Sequence, residues 1–156
     1  MTQLLIEDRG AVRILTMNRP DKHNALNTEL TQGLLDALRS AERDSSVNAI
    51  VLTGAGKSFC AGADTTEFSS LVPEDPGAVT RRADLTTSLH LIFSQMSKPV
   101  ISAVRGNALG GGAGLAAHEN PDAVDGQRRD EIESEGENQL PDDGPEHRQQ
   151  AHGPQR

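Results

Sequence analysis

Two glycine-rich turns, far apart in the chain, hold the residues best suited to chemistry. The first turn (residues 59–64) reads FCAGAD, and the second turn (residues 106–112) reads GNALGGG. Each follows a short β-type run, so each is expected to lead from a strand into a helix. Small residues let backbone N–H groups approach a ligand closely. A pair of such turns could therefore hold an oxyanion between them.

Two other patterns favour ordinary structural explanations. Residues 54–58 (GAGKS) resemble a phosphate-binding loop, but the glycine required five positions before the Gly-Lys pair is replaced by Val51. A tight turn with an exposed Lys57 is expected instead. Cys60 stands alone beside glycine and alanine, and a small buried residue is favoured over a nucleophile.

The glycines of the second turn, Asp64 and the histidines also have structural explanations. Glycines 110–112 could simply let a helix pack closely on its neighbouring strand, and Asp64 could simply cap a helix. The five histidines show no metal-ligand spacing, so no metal site is expected. We expect His90 to lie on a helix surface or at an interface.

The elements that must position the two turns follow the order β-β-α-β-α-β-α, which indicates an α/β domain of repeating strand–helix units. Hydrophobic spacing and turn residues predict the individual elements. The chain begins with a hairpin of strands at 4–6 and 12–17, followed by a helix that Asn27 or Thr28 caps and whose apolar face consists of Leu30, Leu34, Ala37, Leu38 and Ala41. A strand at 49–53, buried on both faces, and a loop at 72–78 come next. They are followed by a strand at 100–104 and a helix that begins in the second turn and reaches 115–116, and between the loop and this strand lies a second helix with an apolar face of Leu85, Leu89, Ile92, Phe93 and Met96.

The composition changes sharply after Ala116. Residues 117–156 carry 11 acidic and 4 basic side chains and account for most of the formal net charge of −8. Their sizeable apolar side chains are few, so they cannot offset the entropy of ordering. We therefore predict a domain at 1–116 and an acidic, disordered tail at 117–156.

The bulk properties exclude several classes of protein. The charge of the chain gives no hint of nucleic-acid binding, which would need a basic face. One cysteine excludes a disulfide framework and fits a reducing compartment. No signal peptide and no membrane span are recognised. The expected location is the cytoplasm.

Most of residues 1–116 resembles the enoyl-CoA hydratase/isomerase (crotonase) family. The residues that carry the resemblance are MNRP at 17–20, Lys22 with NAL at 24–26, IVLTG at 50–54, the first turn, KPVISAV at 98–104 and the second turn. The resemblance implies a spiral of ββα repeats, here incomplete, that assembles as trimers or hexamers. It also implies an enzyme, most simply a 2-enoyl-CoA hydratase of fatty-acid oxidation. No cofactor is implied, since coenzyme A is part of the acyl-CoA substrate.

The resemblance also implies roles for particular residues. The backbone N–H groups of Ala63 and Gly111 would form the oxyanion hole. Substrate contacts near the CoA would come from Lys22, Asn24, Ala25 and Leu26, and Lys22 could meet a phosphate there. The acyl and pantetheine path would be lined by Ala61, Asp64 and Thr65, and Gly110 would also contact the substrate.

The chain departs from the family where a hydratase needs acid and base groups. The first glutamate of such hydratases falls at Gly114, and the second falls in the acidic tail, where Glu131, Glu133 and Glu135 match nothing. We interpret the chain as a truncated or frame-shifted product of a crotonase-type gene. The alternatives are a non-catalytic remnant that binds acyl-CoA or a partner subunit, and another reaction of the family, isomerisation or thioester hydrolysis.

Overall fold

The computed structural model describes residues 2–70 and 75–118, and a four-stranded sheet organises them. Its strands, in spatial order, are β1 (Leu4–Arg9), β2 (Val12–Met17), β3 (Ala49–Gly54) and β4 (Val100–Ala103). β1 and β2 form an antiparallel hairpin, whereas β2, β3 and β4 run parallel. The predicted hairpin is confirmed, and β1 is longer than expected because its last three residues continue to pair with β2.

Helix α1 (Thr28–Arg43) packs against β1 and β2 and supplies much of the hydrophobic core. The side chain of Asn27 caps it, with Oδ1 accepting a hydrogen bond from the Leu30 amide at 2.9 Å. The predicted apolar face is confirmed, since all five of its residues are buried. The core also includes fully buried side chains of the sheet and of the first turn, namely Leu15, Met17, Ile50, Leu52, Phe59 and Cys60.

Asn27→Ala is expected to lower the free energy of unfolding by about 1 kcal/mol, because the Leu30 amide loses its side-chain acceptor. Asn27→Ser, which keeps an acceptor oxygen at the cap, should change it by only a few tenths of a kcal/mol. Urea denaturation of the three proteins measures both effects. An Asn27→Ala protein as stable as wild type would show that the cap contributes nothing.

The second helical region starts earlier than the sequence suggested. Helix α2 (Pro76–Leu91) begins inside the predicted loop, because Asp75 accepts a hydrogen bond from the Ala78 amide and Pro76 suits the first helical position. Residues 72–74 of that loop lie outside the described residues. A short 3-10 helix (Ile92–Gln95) follows α2 and continues the predicted apolar face.

The expectation that β3 is buried on both faces was wrong. Its residues alternate between buried and half-buried positions, because only one face meets the core around α1. β4, at the edge of the sheet in the described part of the chain, exposes Ile101, and Val104 directly after it is also exposed.

Helix α3 (Gly111–Ala116) begins in the second turn, as predicted. Folded contacts continue to His118, whose ring stacks on Phe93 with centroids 4.0 Å apart. They therefore reach two residues past the predicted boundary at 116. Of the predicted disordered tail at 117–156, residues 119–156 lie outside the described residues. No helix in the described part of the chain has the length and apolar character needed to cross a bilayer.

Candidate active site

The two glycine-rich turns meet at the end of the sheet where β3 and β4 terminate. They follow β3 and β4, which are adjacent and parallel, so both leave the sheet at the same end. The turns are joined by two backbone hydrogen bonds: the Cys60 amide donates to the Asn107 carbonyl at 3.1 Å, and the Leu109 amide donates to the Cys60 carbonyl at 2.9 Å. The pairing of Cys60 with Ala108 is a short parallel β-bridge that fixes one turn against the other.

Within the first turn, two of three successive amides are engaged. The Gly62 amide faces the Cys60 sulfur at 3.4 Å, and the Asp64 amide donates to the Leu26 carbonyl at 3.0 Å. The amide of Ala63, between them, has no acceptor among the described residues, and Ala63 is exposed. The first turn therefore presents one backbone donor at the surface.

The second turn presents a similar donor. Gly110 precedes α3 with φ of +50°, which glycine adopts readily. The Gly112 amide donates back to the Leu109 carbonyl at 2.8 Å. The amide of Gly111, the first residue of α3, has no acceptor in the part of the chain that the structure describes.

These two donors lie close together in space. A Cβ atom built on Gly62, the neighbour of Ala63, would lie 3.4 Å from the Gly111 nitrogen and 2.8 Å from the Leu109 carbonyl oxygen. Gly62 also has φ of +90°, a conformation that L side chains rarely adopt. Glycine at position 62 is therefore required both by its backbone and by the approach of the second turn.

A third segment, residues 22–26, closes over the first turn. The Leu26 amide donates to the Gly62 carbonyl at 2.7 Å, which places Leu26 in a bridge with Ala63. Asn24 is fully buried, and its Nδ2 donates to the carbonyls of Ala55 and Ser58 at 2.9 and 2.8 Å. Asn24 thus holds this segment to the strand–turn junction rather than facing outward.

Asp64 is also directed into the protein. Its carboxylate is buried and accepts hydrogen bonds from the Thr66 hydroxyl at 2.6 Å and from Arg19 Nη2 at 2.8 Å. These contacts lower the pKa of Asp64 to about 2, and the hydrogen bond from Thr66 has the largest effect. Arg19 also donates to the Ala25 carbonyl. The ion pair therefore joins the 22–26 segment to the first turn.

Acid should weaken the protein through Asp64. Because its folded-state pKa of about 2 lies below the ordinary value of 3.8, its stabilisation is complete above about pH 4 and is lost as the pH falls through about 2. The expected loss is about 2 kcal/mol. Denaturation of wild type and Asp64→Asn at pH 6 to 2 measures it. A stability difference between them that does not change with pH would contradict this account.

An open cavity of about 380 Å³ begins at the first turn. Its lining is mainly apolar and combines Ala63 and Phe68 with one face of α2: Val79, Arg82, Ala83, Thr86 and Thr87. Arg82 fixes this face by donating to the Leu26 carbonyl at 2.7 Å. Ala63, whose amide has no acceptor among the described residues, is thus part of the lining of an apolar recess.

The remaining residues singled out from the sequence lie around this end of the sheet. Lys22 is exposed at the end of a short 3-10 helix, and Thr65 is exposed at the start of another. Ala25 and Ala61 are half-buried. The sequence predicted an α-helix after the first turn, whereas the turn leads into the 3-10 helix Thr65–Ser70.

The contacts of two residues at this site, Arg19 and His90, were not predicted from the sequence. Arg19 follows a strand and precedes a proline, and nothing in the spacing pairs it with Asp64. His90 was expected at a surface or an interface, and it lies between α2 and α3, against Gly111. The expectation for Cys60 is confirmed: it is fully buried, and burial raises the pKa of its thiol, which disfavours a nucleophilic thiolate.

Comparison with known proteins defines the class. Residues 7–119 match the enoyl-CoA hydratase/isomerase family. The chain is 37% identical to a probable enoyl-CoA hydratase of Mycobacterium leprae over 123 residues, which is 74% of this chain and 42% of that protein. It is also 37% identical, over 120 residues, to a probable 3-hydroxyisobutyryl-CoA hydrolase of Arabidopsis thaliana, covering 75% of this chain and 31% of that one.

Solved structures agree with this assignment. A protein of Legionella pneumophila described as an enoyl-CoA hydratase/isomerase (crotonase) superposes with a TM-score of 0.69 at 40% identity. The match covers 74% of this chain and 44% of that one. The chain belongs to the enoyl-CoA hydratase/isomerase family and has the crotonase-like fold. It spans less than half the length of these relatives.

Proposed function

We propose that this chain binds an acyl-CoA thioester with the thioester oxygen between the amides of Ala63 and Gly111. The observation that carries the proposal is that two N–H groups without acceptors among the described residues come from two turns that a β-bridge holds together. A carbonyl oxygen placed there would accept from both.

The arrangement suits reactions that pass through an enolate. Removing a proton next to a thioester, or adding water to a 2-enoyl thioester, moves negative charge onto the thioester oxygen, and returning a proton to Cα discharges it. Fixed donors stabilise this charge more than the neutral carbonyl, so they lower the barrier by about 3 kcal/mol each. The reaction we propose is the reversible hydration of a 2-enoyl-CoA, by analogy with the hydratases among the relatives.

The surroundings of the two donors suggest where the rest of the ligand lies. The apolar cavity beside Ala63 suits an acyl chain, since apolar walls with few polar groups are typical of such sites. The exposed ammonium of Lys22, on the segment that covers the first turn, suits a phosphate of the CoA.

A second candidate function is acyl-CoA binding without turnover. Gly114 stands where the resemblance implies a glutamate, and the chain spans 42% of the Mycobacterium leprae relative. A site with oxyanion donors but without acid and base groups would polarise the thioester and leave it unreacted.

Crotonyl-CoA separates the two candidates. Binding to the full chain is measured by calorimetry against free CoA, and hydration by the loss of the enoyl absorbance. Tighter binding of crotonyl-CoA than of CoA, with hydration above the buffer rate, supports the hydratase. The same binding preference without hydration supports the binding protein. Failure to distinguish crotonyl-CoA from CoA would contradict both, because the thioester would then not be recognised.

A further inference from the structure

We infer that His90 is the group that removes and returns a proton at Cα of the bound thioester. This inference rests on the proposed function, because it takes the thioester oxygen to lie at Ala63 and Gly111. The observation behind it is independent of those two donors: the imidazole lies against the position that the Cβ atom of a side chain at residue 114 would take. A Cβ built on Gly114 would lie 2.8 Å from His90 Cδ2 and 2.9 Å from Nε2.

The imidazole lies beside the proposed oxyanion donors. A Cβ built on Gly111 would be 3.6 Å from His90 Cε1 and 3.7 Å from Nε2. A thioester oxygen that accepts from the Gly111 amide would be about 2.9 Å from its nitrogen, and the thioester Cα is two bonds further. The imidazole and the thioester Cα would therefore both be neighbours of Gly111, and the inference is that Nε2 reaches the proton on Cα.

The hydrogen bonds of His90 suit it to carry this proton. Nδ1 lies 2.8 Å from the Thr86 carbonyl oxygen, and Nε2 lies 3.2 Å from the Gly111 carbonyl oxygen. Carbonyl oxygens only accept, so a neutral ring can bond to one of them and an imidazolium to both. With the proton on Nδ1, the Thr86 carbonyl orients the ring and Nε2 keeps a lone pair. Once Nε2 takes a proton, it can donate to Gly111.

The acyl cavity reaches the same face of α2. Thr86, one turn before His90, lines the cavity together with Ala63. Arg82, one turn earlier again, fixes α2 by its hydrogen bond to the Leu26 carbonyl. His90 lies one turn further along α2 than Thr86 and contacts Gly111 at the start of α3.

The proposed step balances without another reactant. The Cα–H bond breaks, its electron pair forms the enolate with the charge on the thioester oxygen, and the proton moves to His90 Nε2. In D₂O the imidazolium exchanges its proton with solvent, and the reverse step returns a deuteron to Cα. A saturated acyl-CoA that cannot be hydrated should therefore exchange its α-protons.

Butyryl-CoA in D₂O tests this step with the full chain. The loss of the α-CH₂ signal in the ¹H NMR spectrum gives the exchange rate, and calorimetry gives the affinity. We expect exchange above the buffer rate for wild type, and a loss of about 10²-fold or more in His90→Gln at unchanged affinity. Glutamine can still donate to the Gly111 carbonyl, so a purely structural histidine would leave the rate unchanged.

A control and a second readout make the outcomes distinct. His118→Gln, at the far end of α3, should exchange butyryl-CoA at the wild-type rate. In wild type, the His90 ring resonances should shift on addition of butyryl-CoA, which tests the contact even if His90→Gln does not fold. Binding without exchange, or equal exchange in wild type and His90→Gln, overturns the inference alone. No binding of butyryl-CoA by wild type overturns the proposed function, and the inference with it.

Discussion

Gly111→Pro is expected to weaken strongly the binding of an enolate by this chain. Proline removes the amide hydrogen, and it is well tolerated at the first position of a helix, where that amide has no helical acceptor. Acetoacetyl-CoA is a suitable probe, since it ionises to an enolate with charge on the thioester oxygen. We expect about 10²–10³-fold weaker binding of the enolate, the range found when one oxyanion donor is deleted.

Gly111→Ala is the matched control. It keeps the amide hydrogen, and its Cβ would make ordinary contacts, 3.5 Å from Leu26 Cδ1 and 3.6 Å from His90 Cε1. Its affinity for the enolate, followed by enolate absorbance, should stay within a few-fold of wild type. Equal affinities of the proline and alanine variants would show that the Gly111 amide does not contact the ligand.

Gly106→Ala is expected to cause the largest loss of stability. Gly106 begins the second turn with φ of +69°, and a Cβ there would lie 1.9 Å from the Lys57 carbonyl oxygen. The positive φ costs about 1–2 kcal/mol for alanine, and the backbone must also shift to relieve the overlap. Together these effects should lower the free energy of unfolding by about 2–5 kcal/mol.

Gly10→Ala separates these two contributions. Gly10 also has a positive φ, +59°, but a Cβ there meets no atom of the described chain within 4 Å. Chemical denaturation should therefore show a loss of only about 1–2 kcal/mol for Gly10→Ala. A Gly106→Ala protein no less stable than Gly10→Ala would mean that the junction of the two turns is looser than the structure shows.

Local patterns predicted the framework of the fold well. The helical spacing of apolar residues on α1 and the cap at Asn27 depend on neighbouring residues, which a sequence displays directly. The start of α2 was missed because Pro76 was taken as a loop residue, although it favours the first turn of a helix. The half-buried face of β3 was missed because burial depends on which elements cover a strand.

The candidate site was predictable in part. The two turns could be recognised from their glycines, and the order of the strands brings them to one end of the sheet. The ion pair of Arg19 with Asp64 and the packing of His90 against Gly111 could not be, because each joins residues far apart in sequence. The resemblance placed Asp64 along the ligand path, whereas its carboxylate is buried against Arg19.

The amide resonances of Ala63 and Gly111 offer the most direct measurement of the proposed oxyanion site. A ¹⁵N-labelled chain is titrated with butyryl-CoA and, separately, with S-butyl-CoA, a thioether that lacks the carbonyl oxygen. We predict that both amide protons move downfield with butyryl-CoA, saturate at the same concentration, and do not move in this way with S-butyl-CoA. Amide shifts that are absent, or identical for the two ligands, would contradict the binding of a thioester oxygen between these two donors.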